Sequence, residues 1–183
     1  MSVIVICGPT AVGKGTVLSR VLARRDDLYM SVSATTRPPR PGEIEGTSYY
    51  FVTDEQFDDL IERGDMLEWA TVHQVHRYGT PRGPVEKAVA DGKTVLLELD
   101  LSGARQVRES MPEAYHIFIA PPSFEDLSLR LETRGTEGIA ERERRLETAR
   151  VELAAAGEFD RIVINDDVAR ATEEILSILD QVG

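Results

Sequence analysis

Short apolar runs recur along the chain without the in–out alternation of a half-solvated strand. They are Val3-Ile4-Val5-Ile6-Cys7, Val95-Leu96-Leu97-Glu98-Leu99, Ile117-Phe118-Ile119 and Ile162-Val163-Ile164. Continuous runs of this kind belong to strands covered on both faces. Residues 28–33 form a weaker fifth candidate. Each run leads into a polar turn, and most of the turns lead into a segment of helical period. That order marks βαβ units around a parallel sheet. The pattern therefore predicts an α/β fold: a five-stranded parallel sheet with helices on both faces.

Helix starts are also readable. Thr53 with Gln56, and Ser123 with Asp126, are cap residues with a reciprocal partner three positions on. Leu127, Arg130 and Leu131 continue the second of these helices, which is predicted to stop near Gly135. A long charged helix is expected over about 141–156, ended by Gly157, and a last one over about 169–179, with Ile175, Leu176 and Leu179 on its apolar face. The alternation breaks over about 34–91. This stretch holds TTRPPRPGEIEGTS, then YYFV, a short helix, and LEWATVH. It reads as a small mixed β/α insertion in one domain whose core is 1–33 and 92–183. Insertions of that kind carry substrate sites. Trp69 is expected in the core, and Cys7 is expected to be a small buried hydrophobe ending the first strand.

Composition narrows the partners. A chain of 183 residues supports one sizeable core. The net charge of −11 disfavours nucleic acid and anionic membrane surfaces. No apolar run approaches the roughly 20 residues that span a bilayer. The N-terminal MSVIVICGPT lacks a basic n-region and a cleavage site, so no secretory signal is expected. Cys7 is the single cysteine, which fits a reducing, cytoplasmic setting. His73, His76 and His116 lack metal-ligand spacing. Any phosphate must therefore be bound by a local gathering of Arg, Lys and backbone N–H groups.

Such a gathering follows the first run. Gly8, Pro9, Thr10, Ala11, Val12, Gly13, Lys14, Gly15 and Thr16 match G-x-x-x-x-G-K, with Gly15 where Ser or Thr normally stands. Glycines let the loop curl its N–H groups inward, Lys14 adds charge, and the next helix points its positive end at the same spot. Either Thr16 replaces the missing hydroxyl toward Mg²⁺, or the metal is held through water and Asp100. Asp100 closes VLLELD, where an acid reaches the metal of a bound nucleotide, and it can equally cap the next helix.

Arginines separate a kinase from a hydrolase. Arg130, Arg134 and Arg145 flank the glycine-containing TRGTEG, whose flexibility suits a lid over about 124–150 that stabilises the migrating phosphoryl group and excludes water. The alternative is surface pairing with neighbouring glutamates. In the insertion, Ser33, Arg37, Arg40, Tyr49 and Tyr78 supply donors for a monophosphate. Glu68 and Glu98 are candidate base readers. A carboxylate suits the N1–H and N2–H₂ edge of guanine and rejects adenine, whose N1 carries no proton.

Taken together, GPTAVGKGT, SVSATTRPPRPGEIEGTSYYFV, LEWATVH, YGT, LLELD, IFIAPPSFEDLSLRL, RGTE and VINDD resemble the bacterial guanylate kinases over nearly the whole length. SVSATTRPPRPGE is the most specific of these segments. The resemblance implies a core, a GMP-binding insertion and a lid that close over ATP and GMP, with Mg²⁺ accompanying ATP, and the reaction ATP + GMP = ADP + GDP. It implies Ser33, Arg37, Arg40, Tyr49, Glu68, Tyr78, Thr80, Glu98 and Asp100 on the GMP side. Lys14, Arg134, Arg145 and Asn165 fall on the ATP and transfer side, where Lys14, Arg37, Arg134 and Arg145 would be catalytic. Gly15, Glu98 and Arg77 depart from the family pattern. Kinase-like scaffolds without catalysis are disfavoured by the intact loop and acceptor set. A kinase of phosphorylated sugars would have no use for a base-reading acid. Oligomeric state, homo-oligomers included, is left open.

Overall fold

The computed structural model describes residues 2–72, 75–133 and 139–182. Strand β1 (Val3–Cys7) runs through the glycine-rich loop into helix α1 (Lys14–Leu22), and β2 (Leu28–Met30) follows. Next come β3 (Ala34–Thr35), β4 (Tyr50–Phe51), α2 (Asp54–Glu62), β5 (Met66–Val72), β6 (His76–Pro81) and α3 (Arg82–Ala90). The chain then continues through β7 (Thr94–Glu98), α4 (Leu101–Ser110), β8 (Tyr115–Ala120), α5 (Phe124–Thr133), α6 (Ile139–Ala154), β9 (Arg161–Ile164) and α7 (Val168–Val182).

The main sheet has five parallel strands in the order β2-β7-β1-β8-β9. Strand β1 lies at its centre and shows why its sequence is apolar at every position. Val3, Val5 and Cys7 point into one cluster with Val85 of α3 and Leu101, Ala104 and Val107 of α4. Ile4 and Ile6 point the other way, into a cluster with Val17 and Val21 of α1, Leu127 of α5 and Ile175 and Leu179 of α7. Each Val, Leu or Ile fully buried here stabilises the fold by about 1.5–3 kcal/mol relative to exposure. Cys7 sits at the buried end of the strand, and burial pushes its thiol up to about 12.

The second sheet is small and mixed, in the order β4-β3-β6-β5, with β3 parallel to β4 and antiparallel to β6. Helix α2 is closed by the expected capping box, Thr53 Oγ1 accepting from Gln56 N–H while Gln56 Oε1 accepts from Thr53 N–H. Arg77 ties that helix to β6 by pairing with Asp54 and Asp58 and lying 4.8 Å from the centre of the Phe57 ring. Helix α4 holds β5 from the side. The Gln106 amide exchanges hydrogen bonds with Trp69 N–H and C=O, and Ser110 Oγ donates to Leu67 O.

Three expectations shift. Strand β2 is only three residues long, and the long helix ends at Ala154, followed by a 3₁₀ turn over Ala156–Glu158. Trp69 is not core but 38% exposed. It lies on β5, the edge strand of the small sheet, and meets the Phe57 ring in a T-shaped contact with ring centres 6.4 Å apart.

His116 on β8 is 1% exposed, and neither ring nitrogen has a hydrogen-bond partner. Burial pushes its pKa down to about 4; the positive charge of Arg108 adds to the depression and Asp160 opposes it. An unfolded histidine titrates near 6.5. As pH falls through the window from about 6.5 to 4, the unfolded chain therefore takes up the proton first and stability is lost. Denaturant unfolding at pH 7 and pH 4.5 should show the native chain losing roughly 2–3 kcal/mol more than His116→Phe. Equal losses would mean that His116 carries no part of the acid sensitivity.

Candidate active site

All strands of the main sheet run the same way, so the segments leaving their carboxyl ends share one edge, where ligands of open α/β sheets bind. The loop after β1, Asp100 after β7 and Asn165 after β9 all lie there. The loop takes its shape from backbone that only particular residues tolerate. Gly8 and Gly13 have φ of 151° and 97°. A Cβ on Gly8 would meet Ile119 O at 2.2 Å, and one on Gly13 would meet Asn165 Nδ2 at 2.7 Å. Ala11 also stands at positive φ, 66°. Helix α1 begins at Lys14 with no side-chain cap, which leaves its first N–H groups directed at the loop. Lys14 Nζ donates to Gly8 O at 2.6 Å and to Pro9 O at 3.4 Å. The hollow above it, about 420 Å³, is lined by loop residues from Pro9 to Thr16 and by Glu98. Glu98 thus lines the same hollow as Lys14.

A second hollow of about 490 Å³ opens beside the loop between Gly13, Thr16, Arg130, Asn165 and Val168. Two side chains hold the loop against it. Asn165 Nδ2 donates to Val12 O at 2.7 Å, and Arg130 donates to Val12 O and Asn165 O at 3.1 and 2.9 Å. The Asn165 Oδ1 is buried without a partner. Arg145 is half-buried on α6, while Arg134 lies outside the described residues.

The small sheet brings the insertion residues together. Arg37 is 8% exposed, with Tyr78 Oη, Pro38 O and the Glu43 carboxylate around its guanidinium. Tyr49 packs edge-on to Tyr78 at 5.8 Å. Arg40 lies on the exposed turn beyond, and Ser33 is half-buried, its carbonyl accepting from Tyr50 N–H. Glu68 and Thr80 are cross-strand partners on β5 and β6, and Thr80 Oγ1 donates to Glu68 Oε1 at 2.7 Å. Gly79 permits that pairing, since a Cβ there would meet Glu68 O at 2.6 Å. Burial raises the Glu68 pKa, the Thr80 hydrogen bond opposes the rise, and Asp100 adds to it. Asp100 caps α4, its Oδ1 accepting from Gly103 N–H at 2.7 Å.

The guanylate kinase family profile matches residues 1–182. The chain belongs to the guanylate kinase family. It is 58% identical to the guanylate kinase of Leifsonia xyli subsp. xyli over 96% of this chain and 69% of that one. It is 57% identical to that of Cutibacterium acnes, over 98% and 90%. The crystal structure of guanylate kinase from Anaplasma phagocytophilum superposes with a TM-score of 0.72 at 32% identity, covering 98% of this chain and 85% of that one. The reaction is the ATP-dependent phosphorylation of GMP to GDP.

Within this guanylate kinase fold, three residues join the site that motif reading did not single out. Glu43 occupies Arg37; its signal was the turn sequence Arg40-Pro41-Gly42-Glu43. Gly103 lets α4 approach Glu68, a Cβ there lying 3.1 Å from its Oε2. Glu152 is buried on α6; burial raises its pKa, Lys14 opposes the rise and Asp100 adds to it. Its spacing of three from Ala149 and from Ala155, both buried, marked it as inward-facing. Among the described residues no three acidic, histidine or cysteine side chains cluster as a metal site. The side-chain oxygens near the loop include Thr16, which lines both hollows, and Glu98, which lines the hollow above Lys14, while Asp100 after β7 spends one oxygen on its cap. So sparse a set fits Mg²⁺, which keeps several waters and takes its remaining ligands from substrate phosphates.

Gly103→Ala should crowd Glu68 Oε2 and raise the GMP KM several-fold, by about 1 kcal/mol, with the ATP KM unchanged. Steady-state kinetics at varied GMP and varied ATP measure this. An unaltered GMP KM would remove Glu68 Oε2 from the acceptor site.

Proposed function

We propose that the chain transfers the γ-phosphoryl group of Mg-ATP in line to the phosphate of GMP, and that its residues divide the work between two sides. The observation that carries this reading is the buried Glu68–Thr80 pair, with Thr80 two residues along β6 from Tyr78, the hydroxyl that meets Arg37. A carboxylate can accept from N1–H and N2–H₂ of guanine, and a hydroxyl at Thr80 keeps it oriented. Arg37, Arg40, Tyr49 and Tyr78 would hold the acceptor phosphate, with Ser33 and Asp100 completing that side. The segment 34–91 then acts as the acceptor unit.

On the donor side the loop N–H groups from Gly8 to Thr16 and the start of α1 cradle the ATP phosphates. Lys14 leaves its carbonyl partners Gly8 O and Pro9 O for the phosphate oxygens. Arg130 and Asn165 hold the loop and line the hollow that would take the nucleoside. The lid, about 124–150, would bring Arg134 and Arg145 over the migrating group and exclude water. Thr16 and Asp100, through water, would hold the Mg²⁺ that accompanies ATP, which would supply charge neutralisation at the phosphates. Glu98 serves the phosphate side, where it lines the hollow with Lys14. No protein nucleophile is required; catalysis rests on orientation and charge. A cytoplasmic setting agrees with the free, buried thiol of Cys7.

An ADP-release assay with Mg-ATP against GMP, AMP, CMP and UMP tests the reading. GMP-selective turnover is expected, and equal turnover of GMP and AMP would overturn base reading by Glu68. Lys14→Ala should lower kcat by roughly two to four orders of magnitude, the scale of losing a group that meets transition-state charge. Glu68→Gln should raise the GMP KM and narrow the preference for GMP over AMP by at least about tenfold.

A further inference from the structure

Arg37 carries an unexpected neighbour for a residue that meets phosphate. A carboxylate beside an anion site weakens its attraction for the anion, so its presence calls for a geometric reason. The local sequence builds it in. Arg40-Pro41-Gly42-Glu43 forms a turn closed by Glu43 N–H donating to Arg40 O at 3.0 Å, with Gly42 at φ 88°. Proline second and a positive-φ glycine third are the requirements of a type II turn. The turn brings the Glu43 carboxylate back over its own start. Oε2 accepts from Arg40 N–H at 2.7 Å and from Arg37 Nη1 at 2.9 Å, and Oε1 accepts from Arg37 Nη2 at 2.8 Å.

Counting donors shows the consequence. A guanidinium has five N–H groups. The two on Nη1 go to Pro38 O at 2.8 Å and to Glu43, and one on Nη2 goes to Glu43. Nε–H meets Tyr78 Oη at 3.2 Å. One N–H remains, on Nη2, along the same edge as Nε and beside the Tyr78 hydroxyl. The Tyr49 and Phe51 rings stand 5.4 and 6.0 Å from Cζ. Glu43 is also a fixed partner. Its carboxyl is pushed down to about 2, first by Arg37 and then by the Arg40 N–H, so it stays charged at any working pH.

We propose that Glu43 is a positioning residue for the acceptor phosphate: by filling the Nη1–Nη2 edge of Arg37 it presents the Nε–Nη2 edge, next to Tyr78, to the incoming anion. This rests on the assignment of Arg37 to the GMP phosphate. A phosphate oxygen accepting from that edge would take the Nη2 N–H directly and share Nε–H with Tyr78, whose hydroxyl can turn to donate. Glu43 then acts through Arg37 and need never touch the substrate. Lysine, a point charge without edges, could not be oriented in this way.

Steady-state kinetics of Glu43→Gln, an isosteric change in an exposed turn, test this. The GMP KM should rise roughly 10- to 100-fold, the scale of a charge-assisted hydrogen bond, with kcat within about threefold and the ATP KM unchanged. The unchanged ATP KM separates loss of positioning from loss of fold. In an Arg37→Lys background Glu43→Gln should add nothing further, because no edge is left to orient. A lower GMP KM in Glu43→Gln would mean that Glu43 competes with the phosphate, and would overturn the proposal. So would an unchanged GMP KM, or full additivity of the two changes. If Arg37→Lys alone leaves the GMP KM unaltered, the assignment of Arg37 fails first, which is a separate result from the failure of Glu43.

Discussion

A parallel sheet buried on both faces gathers the carboxyl ends of its strands on one edge, and every feature of the site depends on that. Strand β1 is apolar at each position because α3 and α4 cover one of its faces and α1, α5 and α7 the other. Its neighbours β7 and β8 run the same way. The phosphate loop, Asp100 and Asn165 therefore leave adjacent strands in the same direction. The small sheet is tied to α4, the helix that Asp100 caps at this edge, by hydrogen bonds of Gln106 and Ser110 to the backbone of β5.

The second theme is how a chain of net charge −11 prepares to hold two anionic nucleotides. It does not rely on a broad positive field. Three of its cations rest on local partners. Lys14 rests on Gly8 O, Arg130 on Val12 O and Asn165 O, and Arg37 on Glu43 and Pro38 O. Partners of this kind keep buried charge satisfied while fixing direction. Lys14 rests on carbonyls that a phosphate can replace, whereas Arg37 faces a carboxylate anchored by its own turn. The two sides of the site thus differ in what binding must displace.

Much of this was legible in the chain because the relevant forces are local. A doubly covered strand reads as a continuous apolar run, and β1, β7, β8 and β9 were found that way. Thr53 and Gln56 announced a capping box, since both donors and acceptors lie within four residues. The loop from Gly8 to Thr16 needs positive φ and close backbone approach, which its glycines declare. Trp69 departs from its expected core position because its strand, β5, lies at the edge of the small sheet, where even with the Phe57 ring against it the indole stays 38% exposed.

The sequence by itself therefore determined the α/β class, the phosphate loop and the residue types available at the strand ends and in the small sheet. Those depend on periodicity, turn chemistry and residue type, all short-range properties. Only the tertiary structure decided how the set is used. It paired Glu68 with Thr80 across twelve residues, brought Gly103 against that carboxylate, turned Glu152 inward toward Lys14 and Asp100, and placed Glu98 in one hollow with Lys14. These are distances between elements remote in the chain. They follow from strand register and helix packing, which no local pattern encodes.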